Sequence, residues 1–208
     1  PLYHFPDIWL NLLWFSGLLK IMLAIMVVIS ITNEFTYRTL RQNIIDGLSR
    51  WEFLQSKILT NALLSFMSTL MVTSIILITG MIYSPDLSFN KIITDIEFVP
   101  AYFLEVFFFL SYALMLGCLI QRSGLTIILL MTTQMIEGII KANADDYVPW
   151  LIPYFPMQSI WELVSFPYHR YAFQEIEDFV SPLSVVTVLA WTFLFNYFSY
   201  LKLKRSDI

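Results

Sequence analysis

The chain has 208 residues, 58% of them hydrophobic and only 13% charged, with a formal net charge of −4. A soluble domain carries roughly a quarter charged residues, so this chain lacks the polar atoms to cover a water-facing surface and reads as an integral membrane protein. Its negative balance offers no basic face to neutralise phosphates, which argues against nucleic acid as a partner.

A spanning helix needs about twenty largely apolar residues. Hydropathy predicts spans at 12–32, 58–83, 99–120, 125–140 and 180–201, in one membrane domain over 1–208. The expected fold is an all-α polytopic helical bundle. The first span can begin earlier, because Pro6-Asp7 suits a helix start and Trp9 and Trp14 suit a membrane interface. Lys20 falls inside it and reads as structural, either snorkelling or facing a protein interior. Residues 33–57 follow as a polar island between two apolar runs.

The next span carries a polar stripe of Asn61, Ser65, Ser68 or Thr69, and Thr73. Small hydroxyl residues permit close helix packing, so a helix or subunit interface is preferred, with a translocation path as the alternative. Glu105 lies about a turn and a half into the third span, as an interfacial carboxylate or a helix partner. Cys118, the single cysteine, sits in an apolar run and can form no internal disulfide. The fourth span is short and is expected either to borrow residues 141–143 or to be followed by re-entrant structure. Thr126, Thr133, Glu137 and Lys141 recur there on one helical face with Gln134 alongside. Glu137 and Lys141 are expected to pair at the outer end, with a part in a substrate path as the alternative.

Residues 141–178 contain W-L-I-P-Y-F-P-M and I-W-E-L-V-S-F-P-Y, broken by Pro149, Pro153, Pro156 and Pro167. Proline forbids a continuous helix, while the apolar content disfavours full exposure to water. Short helices dipping into the outer leaflet satisfy both demands, and a packed extracellular cap is the alternative.

Basic residues set the expected orientation. With 33–57 inside, the cytoplasmic side collects Arg38, Arg41, Arg50, Lys57, Arg122, Lys202, Lys204 and Arg205, leaving Lys91, Lys141 and Arg170 outside. Pro1 then lies outside and Ile208 inside, which predicts a preceding span and a six-span parent with both ends in the cytoplasm.

Common catalytic signatures are missing. The sequence has no G-x-x-x-x-G-K phosphate loop and no G-x-S-x-G, and neither His4 nor His169 sits in H-E-x-x-H. No catalytic residue, bound metal or cofactor is expected on this chain.

The polar island is therefore the leading functional surface. Ile44, Ile45 and Leu48 are placed on one side of a short amphipathic helix, flanked by Arg38, Arg41 and Arg50 and broken at Gly47. Ser49 with Glu52 forms an S-x-x-E capping box that starts the next span. Such an element either presses on a soluble partner through Ile44 and Ile45, with arginines at the rim, or anchors to headgroups.

The order Glu34, Arg38-Thr39-Leu40, Gly47-Leu48-Ser49-Arg50, Phe53 and Lys57 resembles the loop between the second and third spans of type-2 ABC transporter permeases. That family's pattern runs E…(G/R)-T-L…(P/G)-x-S-R…K. Glu34, Thr39, Ser49, Arg50 and Lys57 fit it, while Arg38 replaces the usual glycine and Gly47 the frequent proline. The resemblance implies a six-span permease in a cell's inner (cytoplasmic) membrane, with short re-entrant helices where 141–178 lies. It implies that 33–57 is a coupling helix docking on a separate ATPase subunit that binds ATP and Mg. It also implies a second permease half, identical or homologous. An envelope scaffold moving no solute is the competing expectation, and a membrane-embedded enzyme a third.

Overall fold

A computed structural model describes residues 3–144, 147–167 and 179–205. Pro1, Asp145, Asp146, residues 168–178 and Ile208, which enter the expectations for the outer segment and the chain ends, lie outside the described residues.

The described residues are mostly helical and contain no strand. The first apolar run forms two helices, α1 (Ile8–Gly17) and α2 (Lys20–Thr36). A short helix α3 (Thr39–Ile45) precedes the long α4 (Arg50–Tyr83). A single turn and a half, α5 (Phe89–Ile93), leads into α6 (Phe98–Ile120) and α7 (Ser123–Ala144). A 3-10 helix (Pro149–Tyr154) and α8 (Pro156–Leu163) then precede α9 (Pro182–Arg205). Five segments are long and apolar enough to cross a membrane: Ile8–Thr36, Arg50–Tyr83, Phe89–Ile120, Ser123–Ala144 and Pro182–Arg205. This is the architecture of a multi-pass membrane protein.

The spanning segments alternate in direction. One end of the bundle gathers Thr36, Arg50, Ile120, Ser123 and Arg205, and is called the basic end below. The far end is stitched by Phe5 N–H donating to Ser84 Oγ (3.0 Å) and Trp9 Nε1 donating to the Ile92 carbonyl (2.9 Å).

Helix α6 is apolar all round, so it cannot present a face to water, and it is buried along most of its length. It packs against α1, α2, α4, α7, α8 and α9. Gly117 lets α2 come close, because a Cβ there would run into the Ile31 side chain. The outer helices α4 and α7 turn Leu59, Leu63, Phe66, Leu125, Ile128 and Met135 outward. In a bilayer such faces meet lipid, which is as apolar as leucine.

The first span is interrupted, which its hydropathy does not predict. Leu18 and Leu19 donate to the carbonyls of Phe15 and Ser16, a tightening to i→i−3 bonds that separates α1 from α2. Beside this break Lys20 forms a buried ion pair with Glu105 of α6. The carboxylate lies over Gly17, where an added Cβ would stand 3.0 Å from Oε1. The Lys20 ammonium also lies 5.5 Å from the Phe109 ring centroid and 5.7 Å from that of Trp161. Lys20 therefore faces the protein interior, and Glu105 is its helix partner rather than an interfacial carboxylate.

Removing one member of a buried pair strands the other charge. Lys20→Met is expected to destabilise the purified protein by about 3–5 kcal/mol, and Lys20→Met with Glu105→Leu to recover most of that loss. Denaturant titration in mixed micelles measures both.

Candidate functional site

The polar island is mostly helical, and its ends belong to the neighbouring spans. Residues 33–36 close α2, and residues 50–57 form the first turns of α4, which begins well before the span expected at residue 58. Between them α3 is held by local devices. Arg38 takes the left-handed conformation (φ 57°) and redirects the chain after Tyr37. Gly47, at φ 103°, ends α3, where Gly47 N–H donates to the Ile44 carbonyl and Leu48 N–H to that of Asn43. That pair of bonds is a Schellman motif, and it uses glycine because an L side chain is strained at this φ. Glu52 N–H donates to Ser49 Oγ (3.2 Å) and Ser49 N–H to Glu52 Oε2 (2.8 Å), the reciprocal capping box.

Three residues of the permease-like pattern meet one another. The Glu34 carboxylate accepts from Thr39 Oγ1 and, at 2.9 Å, from Lys57 Nζ. The end of α2, the start of α3 and the second turn of α4 are thereby tied at one point. Both ionic side chains are 20% exposed, so the pair is partly shielded from water and salt.

Arg50 turns inward as well. Its Nη1 donates to the carbonyls of Leu203 (3.0 Å) and Lys204 (2.6 Å), capping the end of α9. Ser49 is consumed by the capping box, so neither residue of the S-R pair presents its polar group primarily outward.

The apolar face of α3 differs from the amphipathic reading. Leu40 is the buried residue, at 2% exposure, and Ile44, one turn on, packs partly beside it. Ile45 is 73% exposed and points away from Ile44, because successive helical residues are about 100° apart. Tyr37, Arg41, Ile45 and Leu48 are among the residues that this loop leaves exposed.

The span residues resolve into helix contacts. Asn61, Ser65 and Thr69 are buried on the side of α4 that packs on α6. Asn61 Nδ2 donates to the Leu110 carbonyl at 3.3 Å, while Ser65 and Thr69 bond back to Asn61 and Ser65 carbonyls at 2.8 Å. Asn61 also lines a cleft of about 220 Å³ between α2 and α4, beside Lys57 and Thr60. Thr133 Oγ1 lies 2.8 Å from the Tyr112 hydroxyl, a contact between α7 and α6.

Glu137 and Lys141 do not pair. Each reaches Gln158 of α8 instead: the Gln158 backbone N–H donates to Glu137 Oε1 (2.8 Å), and Lys141 Nζ donates to Gln158 Oε1 (3.1 Å). Phe155 supplies no side-chain cap to α8, so the Glu137 carboxylate meets its orphan N-terminal donor and complements the helix dipole. Gln158 also donates to Glu162 (3.1 Å), which accepts from Ser184 of α9 (3.1 Å). Glu137, Lys141 and Gln158 line, with Gln134 and Trp161, a small cleft of about 60 Å³. Because Glu137 lies two turns before the end of α7, α8 lies back alongside α7.

Among the described residues, no three His, Cys, Asp or Glu side chains gather where they could hold a metal ion. No family model, curated protein or solved structure matches the chain. Sequence patterns missed the burial of Leu40, the part of Gln158 and the Lys20–Glu105 partnership. Two opposite charges, each alone in an apolar span, were the one signal pointing to the last.

Thr39→Val removes one donor from the Glu34 clamp. Allowing for partial exposure, the loss is expected at about 1 kcal/mol. Amide hydrogen exchange over residues 39–45 should quicken by about fivefold, with the core of α4 unaffected.

Proposed function

We propose that this chain is the transmembrane permease half of an ATP-binding cassette exporter, with residues 33–57 and the C-terminus on the cytoplasmic side of the inner membrane. ATP and Mg belong to a separate nucleotide-binding subunit. A second permease half, identical or homologous, completes the translocation path between the two. The observation that carries this reading is the self-clamped loop. Glu34, Thr39 and Lys57 hold α3 rigidly at the basic end while Arg41 and Ile45 face outward. A connector between spans needs no such construction, whereas a lever that transmits force from a soluble subunit does.

Rigid transmission follows from the contacts. A push on α3 reaches α2 and α4 through the Glu34 clamp, and α4 reaches α9 through Arg50. ATP-driven closure of paired ATPases would tilt these helices as a body and alternate access between two halves. The re-entrant reading of α8 is supported by its bond to Glu137 and by Trp161 standing over Lys20, inside the first apolar segment.

One observation favours the scaffold reading. The polar stripe Asn61–Ser65–Thr69 faces α6 of the same chain, where it lines no wide path. A scaffold would couple to the same ATPase while moving no solute.

Arg50→Glu is a poor probe of docking, because it also places a carboxylate against the carbonyl end of α9. Arg41→Glu and Ile45→Asp alter exposed positions, where effects on stability stay within about 0.5 kcal/mol. Full-length protein purified from its native membrane in mild detergent is expected to bring down a stoichiometric soluble subunit bearing Walker motifs. Ile45→Asp should weaken that association by at least about thirty-fold, as at a binding hot spot. A homo-oligomer lacking any ATPase, or retention undiminished in both variants, would overturn the proposal. ATP hydrolysis in reconstituted native-lipid vesicles that never responds to solute would favour the scaffold.

A further inference from the structure

We infer that the groove between α6 and α9 at the basic end binds an anionic phospholipid. The groove holds about 690 Å³ and is walled by Met115, Leu119, Phe195 and Phe198, with Lys202 and Arg205 in its lining. Met115 and Leu119 belong to the last turns of α6, and Lys202 and Arg205 to the last turn of α9, so the cations stand at the groove's membrane-surface end.

The dimensions suit one acyl chain. From Phe195 to Arg205 the helix rises about 15 Å. That is half of a hydrocarbon core about 30 Å thick, the depth of a single leaflet. A chain lying along Phe198 and Phe195 would therefore leave its headgroup level with Lys202 and Arg205. The apolar wall calls for hydrocarbon, and the two cations, three residues apart on one helical face, call for a phosphate without a compensating positive charge.

Two further facts bear on those cations among the described residues. The ion pairs among the described residues join Lys20 to Glu105, Lys57 to Glu34 and Lys91 to Asp86, so neither Lys202 nor Arg205 is neutralised by them. Basic side chains in a last turn commonly bond the closing carbonyls. Here Arg50 takes the Leu203 and Lys204 carbonyls from the side of α4, so that role does not fall to Lys202 or Arg205. A symmetric second copy is a poor occupant, because it would bring the same two positive charges against themselves.

The test uses the full-length protein, delipidated in detergent and offered phosphatidylglycerol or phosphatidylcholine with identical acyl chains, with bound lipid read by native mass spectrometry. Phosphatidylglycerol should be retained preferentially. Lys202→Gln with Arg205→Gln should reduce that preference roughly thirty-fold, at about fivefold per cation. Leu119→Trp fills the groove and should lower retention of both lipids without changing their ratio. Lys204→Gln removes an exposed cation outside the groove lining and should leave the preference intact. Equal retention of the two lipids would refute the site. So would an equal loss with Lys204→Gln, which would mean surface potential alone, or disulfide crosslinking of Leu119→Cys between copies in place of lipid.

Discussion

Helix α6 has no polar face to give to water and is too apolar on every side to lie against one neighbour, so it has to be enclosed. Six helices pack on it, and α6 meets five of them, α1, α2, α4, α7 and α9, with a polar contact. Tyr102 donates to the Ser16 carbonyl of α1 (3.3 Å) and lies 3.1 Å from Ser68 of α4. Glu105 pairs with Lys20 of α2, and Asn196 of α9 donates to Ser111 (3.3 Å). Tyr112 meets Thr133 of α7. Between helices in lipid, apolar contacts barely discriminate one rotation from another, since lipid competes for them equally. Hydrogen bonds and an ion pair do discriminate, and they set the rotation of each neighbour about α6.

The same economy governs the loop at the basic end. Its patterned residues, Glu34, Thr39, Ser49, Arg50 and Lys57, are engaged within the chain, and they turn a flexible connection into a fixed projection. What remains outward is a small surface around Arg41 and Ile45. A pattern of this kind can thus be maintained by internal geometry while partner recognition rests on its less regular neighbours. Arg50 belongs to that internal geometry, because it links the start of α4 to the end of α9.

Much of the site was legible where the interactions are short in sequence. Ser49 and Glu52 announce their capping box within four residues, and Gly47 announces the end of α3, because both devices depend on the local backbone alone. The direction of α3 was not legible. A seven-residue helix with Leu40, Ile44 and Ile45 has more than one apolar face to offer, and the packing of α2 decides which is buried. Glu137 and Lys141 failed to pair for a related reason. Helical spacing brought them within reach, but Gln158, 21 residues beyond Glu137, offered an orphan helix-end N–H that needs an acceptor, which the carboxylate supplies and lysine cannot.

By itself the sequence determined that the chain is helical, that five of its segments are long and apolar enough to cross a membrane, and that the loop between the first two is polar and capped. Those features follow from transfer free energy and backbone hydrogen bonding within a segment, which need no knowledge of neighbours. Tertiary structure alone decided that Lys20 answers Glu105 across 85 residues, that α1 breaks from α2 beside that pair, and that α8 folds back to be capped by Glu137. Each of these satisfies a buried charge or an orphan helix end with a group remote in the chain, and only the assembled bundle determines which remote group is near enough.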